Sequence, residues 1–317
     1  MAGLTTDFLE QVLSIVPHKT VGLIGDLFLD RYFDIDPALD EPSVETGLTA
    51  YQITRVRCYA GALGTVANNL SALGVGRIIP VSIIGDDGEG YELRQALGLL
   101  PSVDSSCLVA CPERRTPTYT KPMRAGVELN RLDIKNRTPT PTRLIEDVLR
   151  RAESIRSSVD AWLILDQVSE RDCGVVTAKV RDWCRTLEAF KLADSRERIR
   201  EFEGLCIKPN QSESADLDHS RFIASFVTLG ERGIRLIHNG QSSEHPAFPV
   251  LGPTDICGAG DSCSAGIACA IVAGGSFEQA AAFGNLVASI TVQQIGVTGT
   301  ATPAQIRSRW DEFSRWT

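Results

Sequence analysis

Short apolar runs alternate along this chain with longer stretches in which apolar residues recur every three or four positions. The runs at 20–24, 77–84, 161–165, 190–193, 205–207 and 222–229 read as strands buried on both faces. Between them, Leu144, Ile145, Val148, Leu149 and Ala152 fall on one face of a helix over 142–155. Near the N-terminus Leu9, Val12, Leu13 and Val16 share a helical face, with Asp7 and Glu10 spaced as a capping box. Further boxes stand at Ser276 with Gln279 and at Thr302 with Gln305, the latter with Pro303 at the first helical position. This alternation predicts an α/β fold in which a mostly parallel sheet is covered on both sides by helices.

Two segments, at about 31–58 and 105–134, break the alternation. They are polar, rich in Thr and Pro, and carry short pieces of period two such as 51–57. Insertions of this kind predict a small β-sheet lid projecting from the α/β body. With no linker or internal repeat in view, residues 1–317 are expected to form one domain.

Composition narrows the function. Hydrophobic residues make up 43% and charged residues 23%, enough for a core without metal staples. A net charge of −8 argues against a nucleic-acid polymer as partner. It leaves room for a small anion, since helix N-termini hold phosphate without net basic charge. The nine cysteines include no CxxC and no zinc spacing. No stretch approaches the ~18 apolar residues of a membrane span. The expectation is a soluble cytoplasmic protein with reduced thiols.

The sharpest motif is Asp255-Ile-Cys-Gly-Ala-Gly-Asp261-Ser-Cys-Ser-Ala-Gly266. Gly258 and Gly260 let the backbone turn tightly before a small-residue helix over 262–272. The N–H groups of Ala259, Gly260 and Asp261 then lack intrahelical partners and can stabilise charge on a transferring phosphoryl group. A carboxylate repels a passively bound phosphate, but beside an anion hole Asp261 can take a proton from an attacking hydroxyl. The competing reading of Asp261 is a helix N-cap.

Here the chain resembles the ribokinase/PfkB carbohydrate kinases, whose signature runs D-T-x-G-A-G-D before a small-residue helix. Pro209-Asn210-Gln-Ser-Glu213 is similar to the family's N-x-x-E, and Thr228-Leu-Gly230-Glu-Arg-Gly233 to its T-L-G-x-x-G. The resemblance implies that Asn210 and Glu213 organise Mg²⁺ and the phosphates of ATP. It implies that Thr228, Gly230, Gly233 and Asn285 line the nucleotide site, and that a monovalent ion such as K⁺ sits near the backbone of Asp255 and Cys257. Gly25-Asp26-Leu-Phe-Leu-Asp30-Arg-Tyr32 looks closest to the heptose-phosphate kinase branch, the kinase domain of a bifunctional heptose enzyme. That likeness implies contacts to a sugar or sugar phosphate from Asp26, Asp30, Gly61, Thr65, Lys121 and Arg131. Carboxylates suit such a site because one of them accepts hydrogen bonds from two hydroxyls.

Two departures concern the sugar end. The family's G-G-x-x-N becomes Gly61-Ala-Leu-Gly-Thr65, and its D-Y-x-K-G becomes Asp166-Gln-Val-Ser-Glu170 without the Lys. A nucleotide or sugar-phosphate sensor on the same fold is therefore the alternative to an active kinase. A dinucleotide-binding enzyme lacks its G-x-G-x-x-G after the first strand, and a P-loop enzyme lacks its Gly-Lys. A GDS-type hydrolase needs its Ser and His in the opposite order. The unpaired edges of the lid sheet suit pairing of two copies into a homodimer.

Overall fold

The computed structural model describes residues 4–314. Its main sheet has nine strands. From one edge to the other they are Gln241–His245, Ile234–His238, Ala224–Thr228, Cys206–Ile207, Phe190–Ser195, Ala161–Asp166, Thr20–Gly25, Arg77–Gly85 and Leu108–Cys111. Neighbours are parallel except in the last hairpin, where Ala224–Thr228, Ile234–His238 and Gln241–His245 run antiparallel. All six strands expected from the apolar runs are present. The hairpin strands Ile234–His238 and Gln241–His245 were not expected, because their polar outer residues leave no continuous apolar run.

Successive residues of a strand point to opposite faces, and the core divides accordingly. Leu23, Leu163 and Leu165 face one layer with the helices Thr6–Ile15, Leu63–Ala72, Ala259–Val272 and Phe277–Thr291. Ile24, Trp162 and Ile164 face the other, with Thr142–Ile155 and Ala178–Arg185. The result is an α/β/α sandwich.

Caps decide where these helices begin. The Ser276 box with Gln279 is formed, and Thr302 with Gln305 closes in the same way before Pro303. At the N-terminus the cap is Thr5, whose hydroxyl accepts from the Phe8 N–H, instead of the expected pair of Asp7 and Glu10. Glu10 pairs with Arg307 on the last helix. Among the described residues no helix is long and apolar enough to cross a membrane.

A separate five-stranded sheet carries Leu132–Ile134, Thr118–Arg124, Leu27–Ile35 and Ile53–Ala62 in that order, with Val127–Glu128 beside Thr118–Arg124. It draws on the two segments expected to form a lid but begins earlier than expected, and the start of the second segment, Leu108–Cys111, is instead the edge strand of the main sheet. Its central strand starts at Leu27, separated by the single residue Asp26 from Gly25, where the main-sheet strand ends. The Asp26 N–H donates to the Leu165 carbonyl.

Candidate functional site

Ligands of parallel sheets bind beyond the carboxyl ends of the strands. Here that edge is crowned by the turn 255–260 and the small sheet. The helix after the turn starts at Ala259, three residues earlier than expected, with Gly258 as its N-cap at φ 76°. Gly258 leaves no room for a side chain, because a Cβ there would stand 2.6 Å from the Thr298 methyl. Asp261 is therefore the third residue of the helix, and its carboxylate accepts no hydrogen bond from the protein among the described residues. The cap reading of Asp261 does not survive this geometry.

The expected trio of free N–H groups is reduced to two. The Ala259 N–H donates to the Ile256 carbonyl at 3.1 Å, whereas those of Gly260 and Asp261 have no protein acceptor among the described residues. Burial, together with the charge of Asp194, pushes the Asp261 carboxyl up to about 7, against the pull of Lys208 and Arg196. A base poised near neutrality is suited to taking a proton and releasing it again.

A cleft of about 1420 Å³ opens beside this turn. Asn210, Thr228, Gly230, Gly233, Ala259, Gly260 and Asn285 all line it, so residues spread over 75 positions converge as the motifs implied. Thr228 anchors one wall by donating its N–H to the Pro209 carbonyl. Asn285 donates to the carbonyls of His245 and Pro246, which holds the chain leaving the outer hairpin. Asn210 and Glu213 form a reciprocal pair: Asn210 Oδ1 accepts from the Glu213 N–H, and Glu213 Oε2 accepts from the Asn210 N–H.

That pairing leaves Glu213 Oε1 without a protein partner among the described residues. Burial raises the Glu213 carboxyl, as do the nearby charges of Asp194 and Glu197, and a cation there would relieve the repulsion. A carboxylate plus substrate phosphates is the donor set that Mg²⁺ prefers, so the residues fit that ion. The carbonyls of Asp255 and Cys257 likewise accept no hydrogen bond among the described residues, which fits a monovalent cation. The Asp255 carboxylate itself is occupied by the N–H groups of Cys257 and Gly296.

The small sheet presents Asp30 and Lys121, 3.3 Å apart, with Lys121 also donating to the Tyr32 hydroxyl. Gly61 stands on the neighbouring strand because any side chain there would collide with the Asp30 carboxylate. Thr65, in the first turn of the helix Leu63–Ala72, places its methyl against Gly258 and so joins that helix to the turn at 255–260. Arg131 is exposed, ion-paired with Asp133 and stacked on Tyr119.

Asp26 is turned inward, contrary to the expected direct sugar contact. Its side chain is buried, with a residue exposure of 3%, and accepts from the N–H groups of Gln167, Val168 and Val175 at 2.7–3.0 Å. Burial, with the charge of Asp166, lifts its carboxyl to about 6 against those three bonds. Asp26 thus shapes the 167–175 loop, which Arg198 also grips through Asp166 and the carbonyls of Val168 and Ser169.

Sequence reasoning missed Asp194, Arg196 and Lys208. Lys208 follows an apolar run directly, and a lysine flush against a buried strand end was the available signal. Arg196 and Lys135 gave none, since each is an ordinary surface cation until folding brings both beside Tyr119.

Residues 199–305 match the profile described as pfkB family carbohydrate kinase. The bifunctional protein HldE of Caulobacter sp. strain K31 is 28% identical over 309 residues, covering 92% of this chain and 62% of the relative. HldE of Geobacter sulfurreducens is 27% identical over 310 residues, covering 90% and 61%. The chain thus spans about 62% of the length of the curated relatives it matches. Among solved structures, Arabidopsis thaliana ribokinase complexed with ribose and ATP superposes with a TM-score of 0.67 at 17% identity, covering 92% of this chain and 98% of the other. Methanocaldococcus jannaschii nucleoside kinase gives 0.63 at 20% identity, covering 93% and 98%. Shared motifs, sheet order and the profile over residues 199–305 converge on a likeness to the pfkB family of carbohydrate kinases.

Proposed function

We propose that this chain transfers the γ-phosphoryl group of ATP to a hydroxyl of a sugar or sugar phosphate. The observation that carries the reading is the unpartnered Asp261 carboxylate beside the two free N–H groups, at the mouth of a nucleotide-sized cleft. In the reaction the acceptor O–H proton passes to Asp261 as the oxygen attacks the γ-phosphorus. The bond from that phosphorus to the bridging oxygen breaks, ADP leaves, and Asp261 later returns the proton to water. The N–H groups of Gly260 and Asp261 stabilise the transferring group. The cleft holds ATP through Asn210, Thr228, Gly230, Gly233 and Asn285, with Glu213 positioning Mg²⁺ and the carbonyls of Asp255 and Cys257 holding K⁺. Bound Mg²⁺ neutralises charge on the phosphates.

Asp30, Lys121, Thr65 and Arg131 contact the acceptor, and Asp26 supports it through the 167–175 loop. The acceptor carries a phosphate of its own. Arg196 and Lys135 lack carboxylate partners among the described residues, and with Arg131 they gather around Tyr119. Such a group of cations around Tyr119, with Arg196 also acting on Asp261, suits a second anion. The chain acts as one domain in which the small sheet is the lid. Its edge strand Ile53–Ala62, with Val56 and Tyr59 half exposed, pairs with a second copy.

The test is ADP release from ATP and Mg²⁺ across a panel of sugars and sugar phosphates. Turnover with a phosphorylated sugar supports the reading, and silence across the panel overturns it. One observation favours a sensor instead: Ala62, where the family has Gly, sits in a strained conformation beside the acceptor site. A sensor binds ATP or sugar phosphate in calorimetry without releasing ADP.

A further inference from the structure

We propose that Lys208 is a positioning residue for phosphoryl transfer, holding the anion-hole turn and Asp261 in place through a buried ammonium. Its position follows from strand register. Leu192 pairs with Cys206 and Ala193 with Ile207, and the Lys208 N–H continues the ladder to the Ala193 carbonyl. Asp194 and Lys208 therefore emerge side by side at the carboxyl end of the sheet, on the face covered by the helix Ala259–Val272. The ammonium lies 2.8 Å from Asp194 Oδ2, and the residue is only 5% exposed.

Gly260 sits directly over it, since a Cβ on that glycine would stand 3.4 Å from Nζ. This buried ammonium thus underlies the turn that presents the free N–H groups of Gly260 and Asp261. It also faces three carboxylates, those of Asp194, Asp261 and Glu213. A buried ion pair seldom stabilises a fold more than an apolar pair of the same size, so stability alone does not account for this lysine. A fixed positive charge behind the anion hole does the same work as the hole, favouring the state in which negative charge builds on the phosphoryl oxygens. It also keeps Asp261 from being crowded by Asp194, because both carboxylates share its field.

The inference rests on the kinase reading, so wild-type turnover is measured first in the same ADP-release assay. Lys208→Met should lower kcat about 10²-fold with KM for ATP changed less than about threefold, the pattern of an interaction made in the transition state. Lys208→Arg, which keeps the charge, should recover at least about tenfold of that loss. Because Lys208→Met strands Asp194, the double variant Asp194→Asn/Lys208→Met is tested beside it. It should melt near the wild type and still turn over slowly. Wild-type kcat in either Met variant, or a raised KM for ATP with unchanged kcat, overturns the positioning role while leaving the kinase reading intact. No turnover in the wild type overturns both.

Discussion

Replacing Asp261 with Asn should make the protein inactive and more stable at the same time. The side chain keeps its shape and loses its charge. Burial and the nearby Asp194 charge raise the Asp261 carboxyl from 3.8 to about 7. The folded state therefore binds this proton more tightly than the unfolded chain does. Its contribution favours folding below pH 4 and is lost as pH rises through about 7. At full strength the charged form opposes folding above pH 7 by about 4 kcal/mol. Asp261 is only part-buried, and water screens much of that. The helix N-terminus returns up to about 1 kcal/mol to the carboxylate. A net gain of about 1–2 kcal/mol remains for Asp261→Asn at pH 8, or roughly 2–3 °C in Tm. Turnover should fall at least about 10²-fold, the scale of a lost general base. Thermal melts at pH 8 and pH 5, paired with ADP release, check both halves. The stability gain should shrink toward pH 4, where wild-type Asp261 is as neutral as Asn. An Asn variant that is less stable at pH 8, or that turns over near the wild-type rate, refutes the reasoning.

Ala62 holds φ 53° and ψ −114°, a conformation that costs a residue with a Cβ about 1–3 kcal/mol. Ala62→Gly relieves the strain at some cost in unfolded-chain entropy, so a gain of about 1 kcal/mol is expected in a urea melt; a loss would mean that the Ala side chain packs usefully. Arg196→Ala should raise KM for a sugar phosphate by about tenfold or more with KM for ATP unchanged, the scale of a lost hydrogen bond to a charged group. An equal effect on a neutral sugar would remove Arg196 from phosphate recognition. Chelating Mg²⁺ should abolish turnover, and replacing K⁺ by tetramethylammonium at constant ionic strength should lower it; indifference to the second exchange eliminates the monovalent site.

Sequence alone determined what is local and contiguous. Six of the main-sheet strands announced themselves as apolar runs, because a strand covered on both faces has no polar side to interrupt it. The glycines of the turn at 258–261 were legible as a tight turn before a helix, but a cap remained the competing reading of Asp261 until its place in the helix was seen. The motifs at 210–213 and 228–233 were legible through their resemblance to a known family, and the cleft brings them together. What tertiary structure decided depends on register and crossover between distant segments. Strand pairing placed Asp194 beside Lys208, and helix packing set Gly260 over both. Folding of the small sheet toward the main one carried Lys135 to Arg196 around a single tyrosine. Asp26 was misread for the same reason: its neighbours in sequence are a strand and a turn, but its hydrogen-bond partners lie about 140 residues away. Burial there gave the carboxylate to backbone N–H groups, because an unpaired charge cannot remain inside a protein at tolerable cost.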